Sequence, residues 1–438
     1  MIVCDADLYD DIFMVKSLMP LSCFHVHSSY GQVLKVLKYM LNYHPSLRKD
    51  HYGYIKDLFA NNSREDSTKC DYLVSYSART ALDLYLQARN YPAGSEVLMT
   101  AISTEGTIEI IKGSNYPNRN ELKIVPVDIE WETMGPSLLN IRSKITDKTK
   151  AIVISYTYGI IYDIKKISKL CREKGIDIIE DAAESFSGIS TPGSPYADFS
   201  VLSFGMLRHY SCFGGSVSVI RNDKKTYDRM LEIEKSYRNE RSFFYLTRAL
   251  KGTRLMTLLN SNTNIYFKTV RVLQQYKVLH YVRKPIWKLR QRISLPCLRL
   301  LYSTLSEIDP VENIKKYDKL LKYDFGGVVP GAQANKNTFY LYPVIFREPK
   351  KIIAACRMRG IQALWGKEIH CIVKEKGKNS GEDPTPEATK ILDNIVLLPI
   401  GLETSEKLIE QVHHEVLDAV TALDRGLKIN PIRIIAKI

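Results

Sequence analysis

Ser203-Phe204-Gly205-Met206-Leu207-Arg208-His209-Tyr210-Ser211-Cys212-Phe213-Gly214-Gly215 decides how the rest of this chain is read. Ala197-Asp198-Phe199-Ser200-Val201-Leu202 leads into it, and Ser216-Val217-Ser218-Val219-Ile220 leads out. The pattern is strand, tight loop, strand, with a glycine pair that permits a backbone course that residues with a Cβ resist. Further upstream, Ile178-Ile179-Glu180-Asp181-Ala182-Ala183-Glu184 is an apolar strand that ends in carboxylates.

Outward from these two stretches, strand and helix patterns alternate. Tyr72 to Tyr76, Gly94 to Ala101, Glu121 to Asp128, Thr149 to Tyr156 and Ile176 to Ile179 read as strands. Helices are expected from about Ala78, from Ile108 to Lys112, and from Ile164 to Lys174, the last closed by Gly175. Such alternation predicts an α/β fold, a mostly parallel central sheet with helices on both faces. Ligands then belong at the carboxyl ends of the strands, where the turn Ser77-Ala78-Arg79, Asp181 and Arg208 all fall. The turn also opens a helix, whose first N–H groups and positive dipole end suit a phosphate.

Toward the N-terminus, Tyr30 to Tyr43 has helical spacing, Asn61 to Ser67 is a polar loop, and His25 and His27 alternate around Val26 as in a strand rather than as a metal pair. Toward the C-terminus, Thr338 to Phe346 and Ile395 to Ile400 read as strands, Lys350 to Arg359 and Ser405 to Leu423 as helices. His370 could face a cleft, but a place in solvent or in the core is expected, and the tail 428–438 carries no pattern.

The formal net charge is +14, with 45% hydrophobic and 25% charged residues, a globular composition with a basic excess. The excess is local. Between Glu240 and Glu307 there is no acidic residue but thirteen Lys and Arg. That stretch is expected to form basic amphipathic helices, suited to covering a domain joint, to an anionic membrane surface, or to nucleotide-sugar phosphates. No nucleic-acid module accompanies it. The eight cysteines are scattered without a Cys-x-x-Cys pair, so reduced thiols and a cytoplasmic setting are expected. Acids among the first residues do not suggest a signal peptide.

The landmarks Glu96-Val97-Leu98-Met99, Val127-Asp128, Thr149-Lys150-Ala151-Ile152, Tyr158-Gly159, Glu180-Asp181-Ala182-Ala183, Ser203-Phe204 and Gly214-Gly215, in that order, resemble the DegT/DnrJ/StrS sugar aminotransferases. These are pyridoxal-phosphate (PLP) enzymes of fold type I. The resemblance is clear from about Tyr72 to Lys235 and resumes more faintly from Ile308 to Leu423. It implies an N-terminal segment 1–70, a large PLP-type domain 71–235, a basic helical insert 236–306 and a small α+β domain 307–438. It also implies a homodimer acting on a nucleotide-linked keto sugar or similar anionic small molecule.

By the resemblance, Ser77, Ala78, Arg79 and Ser203 hold the cofactor phosphate, with Ala78 where the family has glycine. Asp181 faces the pyridine nitrogen, and Glu184 lies near the ring's phenolic oxygen. Thr104 stands where the family often has an aromatic ring, and the family's Gly-Tyr-Asn stretch after the lysine loop is missing. The family's cofactor lysine, five residues after the serine, is Arg208 here. A guanidinium is neither nucleophile nor base near neutral pH. Three readings therefore stand. The protein uses PLP or pyridoxamine phosphate (PMP) without a covalent link, with His209 moving protons; one branch of the family carries histidine at the lysine position, one residue before His209. Alternatively it is an inactive relative that binds a sugar nucleotide or partner, with Arg208 as an anion clamp. In the third, it is a protein of the membrane surface.

Overall fold

The computed structural model describes residues 29–42, 44, 46–63, 69–113, 116–259, 286–308, 320, 322–359, 361–374, 383–401 and 404–424, together with Cys23 and Val26. The readings of His25, His27 and the tail 428–438 lie outside the described residues. Seven strands form the central sheet, in the spatial order Cys70–Ser75, Ser216–Arg221, Phe199–Ser203, Asp177–Asp181, Thr149–Ser155, Glu96–Thr100, Lys123–Val127. The last five pair in parallel, and Ser216–Arg221 runs antiparallel to both its neighbours. The mostly parallel α/β sheet is thus the fold the chain adopts.

Both faces of this sheet are buried, which is why its strands are near-continuous apolar runs. Successive residues alternate between two cores. Ile152 and Ile154 join the core that holds Val74, Leu98 and Val217. Ala151 and Val153 join the core that holds Leu73, Met99 and Val201. Helices α1 (Tyr30–Leu41) and α2 (Ser46–Asn62) pack with Leu295–Ser306 over the first face. A capping box fixes the start of α1: Ser29 Oγ accepts from the Gln32 N–H, and Gln32 Oε1 accepts from the Ser29 N–H. Helix α2 has no counterpart in the sequence reading. Helices α3 (Ala78–Arg89) and α4 (Glu105–Lys112) bury their apolar stripes in the second core.

The described parts of the stretch 236–306, residues 236–259 and 286–306, are packed into this body. The Ser242–Leu259 helix buries Tyr245, Ala249 and Met256, and the Leu295–Ser306 helix buries Leu298, Leu301 and Leu305. Several of its bases point inward to distant acids: Arg248 to Glu240 at 2.7 Å, Arg292 to Glu234 at 3.3 Å, Arg290 to Asp83 at 2.8 Å. Gly214 lies against the Arg248 guanidinium, where a Cβ would come within 2.5 Å of it, and Gly215 takes φ +87. The glycine pair therefore serves both the turn and the arginine beside it.

Farther along, Tyr342–Ile345, Ile395–Leu398 and Leu364–Trp365 form a small antiparallel sheet with its own core around Phe325, Val344, Ile353 and Val412. A fourth core, with Ile102, Tyr158, Tyr340 and Leu364, joins the two sheets and sets residues 338–341 and 366–371 over the strand ends of the large one. Among the described residues, no helix is long and apolar enough to cross a membrane.

Asp83 is the charged anchor of α3. It is 1% exposed and receives Arg119 at 3.3 Å, Arg290 at 2.8 Å and Gln87 Nε2 at 2.9 Å. Removing one side of a buried charge network strands the others. Asp83→Asn is therefore expected to lower unfolding stability in urea by about 3–5 kcal/mol, and a loss below about 1 kcal/mol would contradict this packing.

Candidate active site

The carboxyl ends of the central strands open into a cavity of about 460 Å³, a volume suited to a cofactor-sized ligand. Ser77, Ala78, Arg79, Asp181, Glu184, Ser203 and Arg208 all line it, so seven of the eight residues singled out in the sequence converge. The eighth, His209, lines a narrow recess on the far side of Arg208, with Phe186, Tyr210 and Thr338. Its ring meets Tyr210 edge-on at 4.7 Å.

One wall is the start of α3. Ser77 is its N-cap, accepting from the Thr80 N–H at 3.2 Å, and Thr80 Oγ1 in turn donates to the Leu289 carbonyl at 2.7 Å. The helix start is thereby tied to the C-terminal part of the basic stretch. The first-turn N–H groups of a helix have no partner within it, so this end offers donors and positive dipole to the cavity.

Asp181 ends its strand in the cavity. Its Oδ2 accepts from Thr107 Oγ1 at 3.0 Å and its Oδ1 from the Ala183 N–H at 3.2 Å. Thr107 is fixed by Thr104, the N-cap of α4, whose Oγ1 lies 3.0 Å from Thr107 Oγ1. Thr104, standing where an aromatic ring was the usual expectation, thus belongs to the support of Asp181. Burial pushes the Asp181 carboxyl up, opposed by the Ala183 N–H, Arg208 and Thr107. No ion pair reaches Asp181 among the described residues. A desolvated carboxylate without a counter-cation is unfavourable unless a ligand brings one.

Glu184 is the hub of the other wall. Arg208 Nη1 lies 3.1 Å from its Oε1, while its Oε2 accepts from the Tyr158 N–H at 3.0 Å and lies 3.0 Å from His370 Nε2. Burial alone would raise its pKa. His370, Arg208 and the Tyr158 N–H outweigh that and bring it to about 2. The Arg208 guanidinium also stacks over the Tyr340 ring at 5.1 Å, and the Tyr340 hydroxyl donates to the Leu207 carbonyl at 3.0 Å. Burial disfavours the guanidinium's charge, but Tyr340 and Glu184 hold its pKa above the ordinary arginine value.

His370, expected in the core or in solvent with a cleft-facing place as the lesser alternative, is buried and also lines the cavity. It is 2% exposed and packs its ring edge-on against Tyr158 at 4.6 Å. An ionised Glu184 only accepts, so Nε2 carries the hydrogen of their bond. His370 Nδ1 is then left buried without a hydrogen-bond partner among the described residues. Nothing near His370 in the chain signals this role, because its partner Glu184 lies 186 residues away. Lys367 is the one lysine among the described residues lining the cavity. Its ammonium pairs with Asp393 and sits over the Trp365 ring at 5.1 Å. No cluster of His, Cys, Asp and Glu suited to a metal ion occurs among the described residues.

Comparison with known proteins agrees with this architecture. The sequence profile of the DegT/DnrJ/EryC1/StrS aminotransferase family matches residues 65–255. A GDP-perosamine synthase of Escherichia coli O157:H7 is 29% identical over 220 residues, 45% of this chain and 57% of that protein. A UDP-2-acetamido-2-deoxy-3-oxo-D-glucuronate aminotransferase of Pseudomonas aeruginosa is 29% identical over 202 residues, 44% of this chain and 52% of that protein. The matched part thus spans about half the length of these curated relatives. The similarity in fold extends further. PseC of Helicobacter pylori, an aminotransferase involved in the biosynthesis of pseudoaminic acid, superposes with TM-score 0.63 at 16% identity over 92% of this chain and 99% of that one. The PMP form of Spr1654, a putative sugar aminotransferase of Streptococcus pneumoniae, gives TM-score 0.63 at 16% identity over 93% and 99%. Over residues 65–255, this chain is thus similar to the DegT/DnrJ/EryC1/StrS aminotransferase family.

Proposed function

We propose that this protein binds pyridoxamine or pyridoxal phosphate in the cavity without a covalent link, and acts there on a nucleotide-linked keto sugar. The observation that carries the reading is the pairing of two features in one cavity: among the described residues Asp181 has no ion-pair partner, and Arg208 is locked to Glu184 at the position of the family's lysine. The relatives' names support the substrate class, a sugar carried on a nucleotide diphosphate, and the PMP-bound neighbour supports the cofactor.

The cofactor supplies an electron sink for the carbon–nitrogen chemistry. Asp181 would hold the ring nitrogen in its charged form, since a nearby anion favours the protonated state. The start of α3 and the Ser203 hydroxyl would hold the phosphate. Arg208 fixes Glu184, and Glu184 fixes the His370 ring and its tautomer. In this reading, the proton-moving role expected at His209 passes to His370, whose Nδ1 is the acceptor atom. A homodimer, expected from the resemblance, belongs to the same proposal. A non-catalytic sugar-nucleotide binder is the second reading, favoured by the complete engagement of Arg208 with Glu184 and Tyr340.

Three outcomes follow. On addition of PLP and borohydride, the wild-type protein is expected to show no cofactor mass on any peptide, whereas Arg208→Lys acquires it on the peptide that contains residue 208. Cofactor mass on Lys367 of the wild type would overturn the non-covalent reading. Calorimetric PMP affinity is expected to fall by at least about thirtyfold in Asp181→Asn. His370→Gln is expected to keep that affinity and lose about a hundredfold or more in amino transfer to the sugar; equal and undetectable transfer by wild type and variant would favour the non-catalytic reading.

The Glu184 lock also predicts a pH dependence. Its folded pKa, about 2, lies below the usual 4.5, so the lock stabilises the fold fully above the unfolded value and loses that contribution as pH falls from 4.5 toward 2. The pH-dependent part of the stability gap between wild type and Glu184→Gln is expected to be about 3 kcal/mol near neutrality and to shrink through that window, read by urea unfolding. A gap that is flat with pH would contradict the lock.

A further inference from the structure

Helix α1 is apolar on two faces. Val33 and Val36 are buried against the body, while Tyr30, Leu34, Leu37 and Leu41 face outward. The spacing i, i+4, i+7, i+11 makes them one line about 16 Å long. Leu34 is 65% exposed and Leu41 87%. Beside α1 packs the Ser242–Leu259 helix. It buries Tyr245 and Ala249 but leaves Phe243 64%, Phe244 58% and Leu250 43% exposed. Two adjoining helices that each leave large apolar side chains in water mark an interaction surface rather than scattered exposure.

The charges around that surface identify its partner. Neither helix contains an Asp or Glu. Lys38, Lys251 and Arg254 stand exposed among the apolar residues. Lys35 and Arg248 do not contribute, because they pair with Glu307 and Glu240. We infer that this face docks on an anionic lipid bilayer, with the leucines and phenylalanines entering the headgroup boundary and the free cations meeting lipid phosphates. Exposed aromatic and aliphatic residues interleaved with cations are the pattern of interfacial helices. A second copy is the weaker occupant, since a twofold contact would press two acid-free, cationic faces of +14 chains together.

The test is sedimentation of the full chain with vesicles of equal parts phosphatidylcholine and phosphatidylglycerol, against phosphatidylcholine alone. Binding is expected on the anionic vesicles only, and to weaken as salt is raised. Lys251→Glu and Arg254→Glu are each expected to reduce partition by about fivefold or more. Leu34→Gln combined with Leu41→Gln should abolish binding while leaving the circular dichroism spectrum and melting temperature unchanged, since both side chains lie in solvent. Equal binding to neutral vesicles, or full binding by the leucine variant, would overturn the inference. So would absence of binding together with light scattering that shows a dimer which the leucine variant dissolves. PMP affinity is unaffected in either case, so this result stands apart from the reading of the cavity.

Discussion

The contact between the Arg208 guanidinium and the Glu184 carboxylate governs the site. A buried ion pair contributes little net stability over a well-packed apolar pair, because both charges leave water. Its importance lies in what loss of either partner would leave behind. Arg208 would stand unpaired over Tyr340, or Glu184 would stand ionised with only the Tyr158 N–H and His370 to hold it. The pair therefore fixes two side chains at once, and through Glu184 it fixes a third, His370. Arg208 brings a permanent charge to the cavity, held by Glu184 and stacked over Tyr340.

The rest of the architecture is arranged around that contact. The parallel strands bring Asp181 and the α3 start to one edge, and the Ser203–Ser216 turn brings Arg208 across from them. The small sheet supplies Tyr340 and His370 from the other side, through a shared apolar core. The Asp83 cluster ties α3 to the basic stretch through Arg290, so that stretch and the cavity wall are mechanically linked. Thr104 and Thr107 illustrate the same economy of support: the helix cap Thr104 holds Thr107, which donates to Asp181.

Much of this was legible in the chain. Strands such as Thr149–Ser155 and Asp177–Asp181 are buried on both faces and appear as apolar runs between turn residues. The carboxyl-end position of Asp181 and Arg208 follows from their order alone. What was not legible depends on contacts far apart in sequence. His370 has no local pattern, because its environment is made by Glu184 and Tyr158. The charges of 236–306 read as solvent-facing, yet Arg290 and Arg292 turn inward because Asp83 and Glu234 wait in the core. Helix α2 mixes polar and apolar residues without a clean stripe, and only Ile55 and Phe59 of it are fully buried.

The most direct measurement is a crystal structure of the protein grown with PMP. The account predicts a pyridine nitrogen within hydrogen-bond distance of Asp181, a phosphate at the start of α3, and Arg208 still paired with Glu184. A ring bound elsewhere, or Arg208 swung away while a lysine amine takes its place beside the ring, would contradict it.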